Sequence, residues 1–317
     1  MQSPHTLVYF VIVTYNGEQW IHKCLDSVFR NQDMRVKAIV IDNGSQDRTV
    51  EVVRDNYPQV KLIETGRNLG FGQANNIGIK VALNDAADFL FLLNQDAWLV
   101  DDCLSTMISF LESHWEIGVL SPVHLNGTGN DIDRNFSDYL QQSDLKQFFQ
   151  QVLMSHSFKA GYIETEFVNA AAWLVSRECI EKVGGFDPVF FHYGEDNNFL
   201  QRVKYWGYKI CILTSVYICH DREQRPVIPK VDFNHKLKRD WTIFMGTACN
   251  VNNPLFYSVI FSKFIRHLAG FFKSSFLLRF PQARYNLSFC RKILANLSKI
   301  RKSRKGNVQG LKLIYLK

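Results

Sequence analysis

The sequence predicts an α/β fold in which a mostly parallel sheet is flanked by helices. Two observations carry this. Over the first 125 of its 317 residues, short β-branched or apolar runs alternate with helix-like segments, the spacing of successive βαβ units. At least one of the runs, Phe89-Leu-Phe-Leu-Leu93, contains no polar residue, as a strand covered on both faces requires.

In chain order, Leu7–Val13, Lys37–Asp42, Val60–Glu64, Asp88–Leu93 and Gly118–Ser121 read as strands, with helices near 18–31, 46–56, 72–84 and 102–113. In the last of these Leu104, Met107, Ile108 and Leu111 share one helical face, and Asp101 or Asp102 is placed to cap it. Residues 126–160 break the rhythm. They are rich in Asn, Asp, Gln and Ser, with a short helix around Leu145–Met154, and read as an insertion or mobile loop over a site. A second ordered block follows. It holds an apolar run Phe167–Val175, a turn at Gly184-Gly185, a helix from about Glu195 to Trp206, and strands near 209–213 and 216–219.

Charge divides the chain unequally. From His235 onward there are 17 Lys and Arg against one acid, Asp240, while the preceding 234 residues hold 20 bases and 29 acids. The basic part also contains Leu255–Ser262, Phe264-Ile265, Phe271-Phe272 and Phe276-Leu277-Leu278, interrupted by Lys263, Arg266, His267, Lys273 and Arg279. Apolar faces with basic flanks suit helices lying in a membrane interface. Pro254 and Pro281 bound one such helix, and a second runs from about Arg284 to Lys302. Packing on the body is the plainer use of the same faces. Nucleic acid is disfavoured because no binding motif accompanies the bases. The expected division is therefore a body, 1–234, with halves at 1–125 and 161–222, and a basic amphipathic helical tail, 235–317.

Composition narrows the class. At 46% hydrophobic and 21% charged residues the chain is an ordinary folded protein. Its seven scattered cysteines contain no CxxC pair, which argues against a disulfide framework or zinc ribbon and for a reducing compartment. Leu7–Val13 is too short for a signal peptide or membrane span, so a cytoplasmic protein is expected.

In parallel sheets ligands bind beyond the carboxyl ends of the strands. Four strand ends carry polar strings: Thr14-Tyr15-Asn16-Gly17; Asp42-Asn43-Gly44-Ser45; Gly66-Arg67-Asn68-Leu69-Gly70-Phe71-Gly72, continuing to Asn75 and Gly78; and Asn94-Gln95-Asp96. Asn75 stands where a dinucleotide fingerprint needs its third glycine, so a Rossmann cofactor site is not expected. A carboxylate such as Asp96, just past a buried strand, can hold a divalent cation when diphosphate oxygens complete the shell. Glu195-Asp196 opens a helix below Phe190-Phe191-His192-Tyr193. Paired acids there serve as caps, or one serves as a general base. His220 closes the last strand and is either structural or a metal ligand.

Together these strings resemble the family 2 inverting glycosyltransferases of GT-A fold, in particular the rhamnosyltransferase-like branch. The matching segments are Val11–Asn16, Val40–Ser45, Asn68–Gly78, Leu92–Asp96, Asn169–Val175, Val183–Pro188 and Phe191–Asp196, covering roughly residues 7–220. The resemblance implies a nucleoside-diphosphate-sugar donor, with dTDP or UDP favoured, held by Thr14, Tyr15, Asn16, Asp42, Arg67, Asn68, Asn75 and Asn94. It implies a divalent cation, Mn²⁺ or Mg²⁺, on Asp96 and His220. Asn94 departs from the family's DxD motif, which implies weaker metal affinity. Either Glu195 or Asp196, with Asp196 preferred, would deprotonate the acceptor hydroxyl for a single inverting displacement. Trp173, His192 and Tyr193 are implied as acceptor-stacking residues. The function expected is transfer of a sugar, rhamnose by resemblance, to a lipid-linked saccharide at the inner face of the cell membrane in surface polysaccharide synthesis. A non-catalytic nucleotide-sugar or membrane-binding module on the same fold is the alternative, and Asn94 is the residue that favours it.

Overall fold

The computed structural model describes residues 6–30, 35–140, 142–155, 161–222, 233–309 and 314–316. The first half builds β1 (Leu7–Thr14), α1 (Glu18–Phe29), β2 (Arg35–Asp42), α2 (Thr49–Asn56), β3 (Lys61–Glu64), α3 (Phe71–Asn84) and β4 (Phe89–Asn94). Then come β5 (Ala97–Leu99), α4 (Cys103–Glu112), β6 (Ile117–Asn126), α5 (Arg134–Tyr139), α6 (Gln142–Ser155) and β7 (Tyr162–Glu164). The body closes with β8 (Ala172–Ser176), α7 (Arg177–Val183), α8 (Glu195–Tyr205) and β9 (Lys209–His220). The tail forms α9 (Phe233–Ala248), α10 (Phe256–Phe276) and α11 (Phe280–Val308).

One nine-stranded sheet has the order β3-β2-β1-β4-β8-β6-β9-β5, with β7 also on β9. The pairings give β1, β2, β3, β4, β6 and β9 one direction, and β5, β7 and β8 the other. The mostly parallel sheet is thus observed, with antiparallel β8 inserted where the two halves meet. Register aligns Thr14 with Asp42 and Val13 with Asn94, so the polar strand ends share one edge.

Alternating side chains explain the two cores. Val8, Phe10 and Ile12 of β1 pack toward α1, α2 and α4, with Phe10 stacked on Phe91 at 4.8 Å. Leu7, Tyr9 and Val11 face α3, α7 and α8. A third core joins Phe244, Phe289, Ile293 and Ile300 of the tail to Phe190 of the body. The tail therefore does pack on the body. Helices α10 and α11 run antiparallel, since Phe264 O accepts from Cys290 and His267 Nδ1 meets Asn286 Oδ1 at 2.8 Å. All seven cysteines are buried and free.

Several elements differ from expectation. The two strands near 209–213 and 216–219 are one strand, β9, bent at a register shift opposite Pro122 and Val123. That shift also lets β6 continue through Pro122. The apolar run from Phe167 becomes a strand only at Ala172, and Asn169 and Ala170 turn to a cleft instead. β5 and β7 have three residues each, too few for a readable period. Helix α10 lies between Pro254 and Pro281, and Pro281 itself sits in the first turn of α11, where its missing N–H costs nothing.

Candidate active site

At the aligned strand ends lies a cleft of about 430 Å³. Its walls include Tyr15, Asn43, Asn68, Asn94, Gln95 and Asp96 from the first half. From the second half come Asn169, Phe191, His192, Tyr193, Glu195, Asp196 and Arg222. Backbone geometry holds the two sides together. Gly70 has φ +82°, and a Cβ there would stand 2.0 Å from the Phe191 carbonyl oxygen. Only glycine lets the 68–71 turn approach the aromatic loop so closely. Gln95 clamps the Tyr15 backbone from both ends, accepting from its N–H at 2.9 Å and donating to its carbonyl at 3.1 Å.

Glu195 and Asp196 form the first turn of α8, after Gly194 in the left-handed region at φ +93°. A helix N-terminus favours carboxylates, but burial outweighs it here. Glu195 is 5% exposed, and desolvation, with the neighbouring Asp196 charge second, raises its pKa from 4.5 to about 7. Asp196 is partly exposed and also raised, mainly by burial. The two carboxyls are neighbours in one helical turn and titrate as a coupled pair. Glu195 Oε2 and Asn169 Oδ1 are buried with no hydrogen-bond partner among the described residues. Both residues line the cleft. Two orphaned acceptors in one cleft await hydroxyl or amide donors.

A stability consequence follows from Glu195. As pH rises from about 4.5 toward 7 the unfolded chain loses this proton while the folded chain keeps it, so stability falls across that window. The full cost of ionising Glu195 is about 3 kcal/mol. Glu195→Gln is therefore expected to be more stable than wild type at pH 8 and indistinguishable at pH 4. Denaturant melts at the two pH values check this, and equal stability at both would contradict the burial.

Asp96 and His220 do converge. Asp96 Oδ1 lies 3.3 Å from His220 Nε2, both side chains being buried, because Ala97 pairs with His220 in the β5–β9 ladder. Two such donors at that separation fit adjacent positions around one cation. Among the described residues no group of three or more His, Cys, Asp or Glu lies together, and an open shell of this kind is one that diphosphate oxygens and water would complete. Arg222 Nε lies 3.2 Å from His220 Nδ1 and 3.8 Å from an Asp133 carboxylate oxygen.

Other expected residues sit elsewhere. Trp173 does not face the cleft. It is fully buried, stacked on Phe186 at 6.3 Å and beside Phe199 at 5.7 Å, because β8 runs in the sheet centre with both faces covered. Asn75 is 1% exposed and donates to the Phe71 carbonyl within α3, so it does not reach the cleft wall. Asn16 accepts from Gln46 N–H and lines a separate hollow of about 640 Å³ with Glu18, His22 and Arg48. Thr14 and Asp42 are buried, Asp42 accepting from Thr14 and from the Gly44 and Ser45 N–H groups. The cleft wall takes their neighbours Val13, Tyr15 and Asn43. Arg67 is exposed beside the Gly44 turn. Residues missed from sequence include Gln95, Asn169 and Arg222. Arg222 lies only two positions beyond His220, a spacing that marks it in retrospect. Tyr139, in the 126–160 segment, also lines the cleft, while 156–160 lie outside the described residues.

A mostly parallel half-sheet with a carboxylate past its central strand thus faces an acid pair across the cleft. The chain belongs to glycosyl transferase family 2, whose model matches residues 9–184. It is 24% identical over 231 residues to the N-acetylglucosaminyl-diphospho-decaprenol L-rhamnosyltransferase of Mycobacterium tuberculosis, covering 67% of this chain and 75% of that one. It is likewise 24% identical over 213 residues to the dTDP-rhamnosyl transferase RfbF of Shigella flexneri, covering 67% and 68%. The fold matches the mannosyltransferase PcManGT of Pyrobaculum calidifontis, solved with GDP-Man and Mn²⁺. That match has a TM-score of 0.54 at 18% identity, covering 99% of this chain and 87% of that one.

Proposed function

We propose that this glycosyltransferase moves rhamnose from a dTDP-sugar donor to a hydroxyl of a lipid-linked saccharide, with inversion, at the inner face of a membrane. The observation that carries the reading is the meeting of Asp96, the Glu195–Asp196 pair and two orphaned acceptors in one cleft. The similarity to two rhamnosyltransferases supports the sugar, and the decaprenol-linked substrate in one relative's name supports the acceptor class.

In this reading the donor lies along Tyr15, Asn68 and Asn94, with Thr14 and Asp42 behind them. Asp96 and His220 would hold a divalent cation, whose chemistry is neutralising charge on the leaving diphosphate. Arg222 supplies a fixed positive charge on the same wall. His192 and Tyr193, whose rings lie 4.0 Å apart, give the acceptor sugar an apolar face. Asp196 is the more open acid, so it takes the hydroxyl proton as the acceptor oxygen attacks the anomeric carbon. Glu195 and Asn169 accept hydrogen bonds from sugar hydroxyls. The basic tail from 235 onward faces the membrane.

The test is incubation with dTDP-rhamnose, UDP-sugars or GDP-mannose and a polyprenyl-diphospho-sugar, reading product mass and anomeric configuration. Inverted rhamnosyl product is expected from dTDP-rhamnose. Nucleotide binding without transfer from any donor would sink the catalytic reading and favour a binding module.

A further inference from the structure

Helix α10 has two apolar faces. Ile260, Phe264 and His267 pack toward α9 and α11, while Tyr257, Phe261, Ile265, Phe272 and Phe276 are exposed. The exposed set falls at steps of four, four, seven and four residues, which is a single stripe along the helix. At 1.5 Å per residue it is about 30 Å long. It runs into the turn joining α10 to α11, where Leu277, Leu278 and Phe280 are also exposed, Phe276 at 87% and Leu278 at 72%. Leu278 has φ +55°, a conformation that a leucine adopts only at a cost. The turn accepts that strain and displays the leucine to solvent.

We propose that the α10–α11 hairpin inserts this stripe and tip into the interface of an anionic bilayer. The purpose of the contact rests on the lipid-linked acceptor proposed above, although the surface is argued from its own geometry. Charge selects the occupant. Neither α10 nor α11 contains an Asp or Glu, while Arg266, Lys273, Arg279 and Arg284 are exposed beside the apolar residues. A second copy of the chain on this face would set these bases against one another with no carboxylate on either helix to offset them. Anionic headgroups offset them, and the acyl boundary takes the aromatic stripe. Insertion is interfacial, since among the described residues no helix is long and apolar enough to cross a membrane.

The hairpin is also coupled to the cleft. Phe190 of the aromatic loop lies in the tail's core, and a Cβ on Gly194 would meet the Thr242 side chain of α9 at 3.3 Å. The membrane-facing unit therefore abuts the loop that carries His192, Tyr193 and the acid pair. An acceptor held in the bilayer would be presented on that side.

The experiment is co-sedimentation of the full chain with vesicles of phosphatidylcholine alone and of phosphatidylcholine mixed with phosphatidylglycerol. Binding to the mixed vesicles, weakened by salt, is expected. Phe276→Ser combined with Leu278→Ser should lower it at least about tenfold without changing the melting temperature. Arg279→Gln combined with Arg284→Gln should erase the preference for the anionic vesicles. Wild-type binding by both folded variants would overturn the proposal. So would a wild-type chain that self-associates in sedimentation velocity and becomes monomeric in the Phe276/Leu278 variant. Both variants should keep dTDP binding and transfer to a water-soluble acceptor. Tip-dependent vesicle binding by a chain that binds no nucleotide would sustain the surface while sinking the donor-site reading.

Discussion

Asp196→Asn is expected to lower transfer by about 10²–10⁴-fold, the usual contribution of a positioned base, with nucleotide affinity and melting temperature nearly unchanged. The expectation rests on access to the cleft. Asp196 is partly exposed on the cleft wall, and its charge helps push Glu195 to about 7. Glu195 is almost wholly buried, so the acid more open to an acceptor is Asp196. Glu195→Gln keeps a hydrogen-bonding group in place but removes a titrating neighbour. It should retain measurable transfer, while the ionisation near 7 disappears from the pH–rate profile. The opposite pattern, near-complete loss in Glu195→Gln and a mild defect in Asp196→Asn, would exchange the two roles.

Arg202→Leu is expected to cost about 3–5 kcal/mol of stability, the range for breaking a buried, hydrogen-bonded charge site. Arg202 is fully buried on α8, the helix that carries the acid pair. It donates to the carbonyls of Val183 and Gly185 at 2.6 Å each and to Asn198 Oδ1 at 3.2 Å. Its guanidinium also lies 5.6 Å from the Tyr315 ring. Asp187 acts on Arg202 electrostatically and accepts from Ser303 at 2.5 Å, Asn307 at 3.2 Å and Tyr315 at 2.9 Å. The Gly185 N–H donates to the Ile314 carbonyl. Arg202 thus fastens α8, the 184–187 turn and the chain's last described residues into one unit. Leucine would leave two buried carbonyls unpaired beside an uncompensated carboxylate. Urea unfolding measures the loss, and a change below about 1 kcal/mol would show that the network carries little. Tyr315→Phe removes one hydrogen bond to Asp187 and should cost only about 1 kcal/mol.

Most of the first half of the body was legible because its longer strands and helices repeat their period over enough residues to be seen, which three-residue β5 does not. Asn94, Asp96 and Glu195-Asp196 were legible as site residues because each lies at an element boundary. What was hidden depended on contacts between distant parts. Trp173 lies in an apolar run whose two faces look alike in sequence, and only the insertion of β8 between β4 and β6 shows that both are covered. Asn75 reads as a cleft residue until α3 turns its amide onto Phe71. Gln95 acquires its role from Tyr15, 80 residues away. The basic aromatic tail announced its composition but not its arrangement. One face of α10 packs and the other does not, and that follows from where Phe190, α9 and α11 meet.

The most direct test of the donor cleft is thermal unfolding of wild type and Asp96→Ala with dTDP, UDP and GDP, each with and without Mn²⁺. One nucleotide at ~100 times its dissociation constant should add about 2.7 kcal/mol. The predicted result is a Mn²⁺-dependent rise in melting temperature, largest with dTDP and lost in Asp96→Ala. No rise with any nucleotide, or an undiminished Mn²⁺-dependent rise in Asp96→Ala, would contradict the assignment of this cleft.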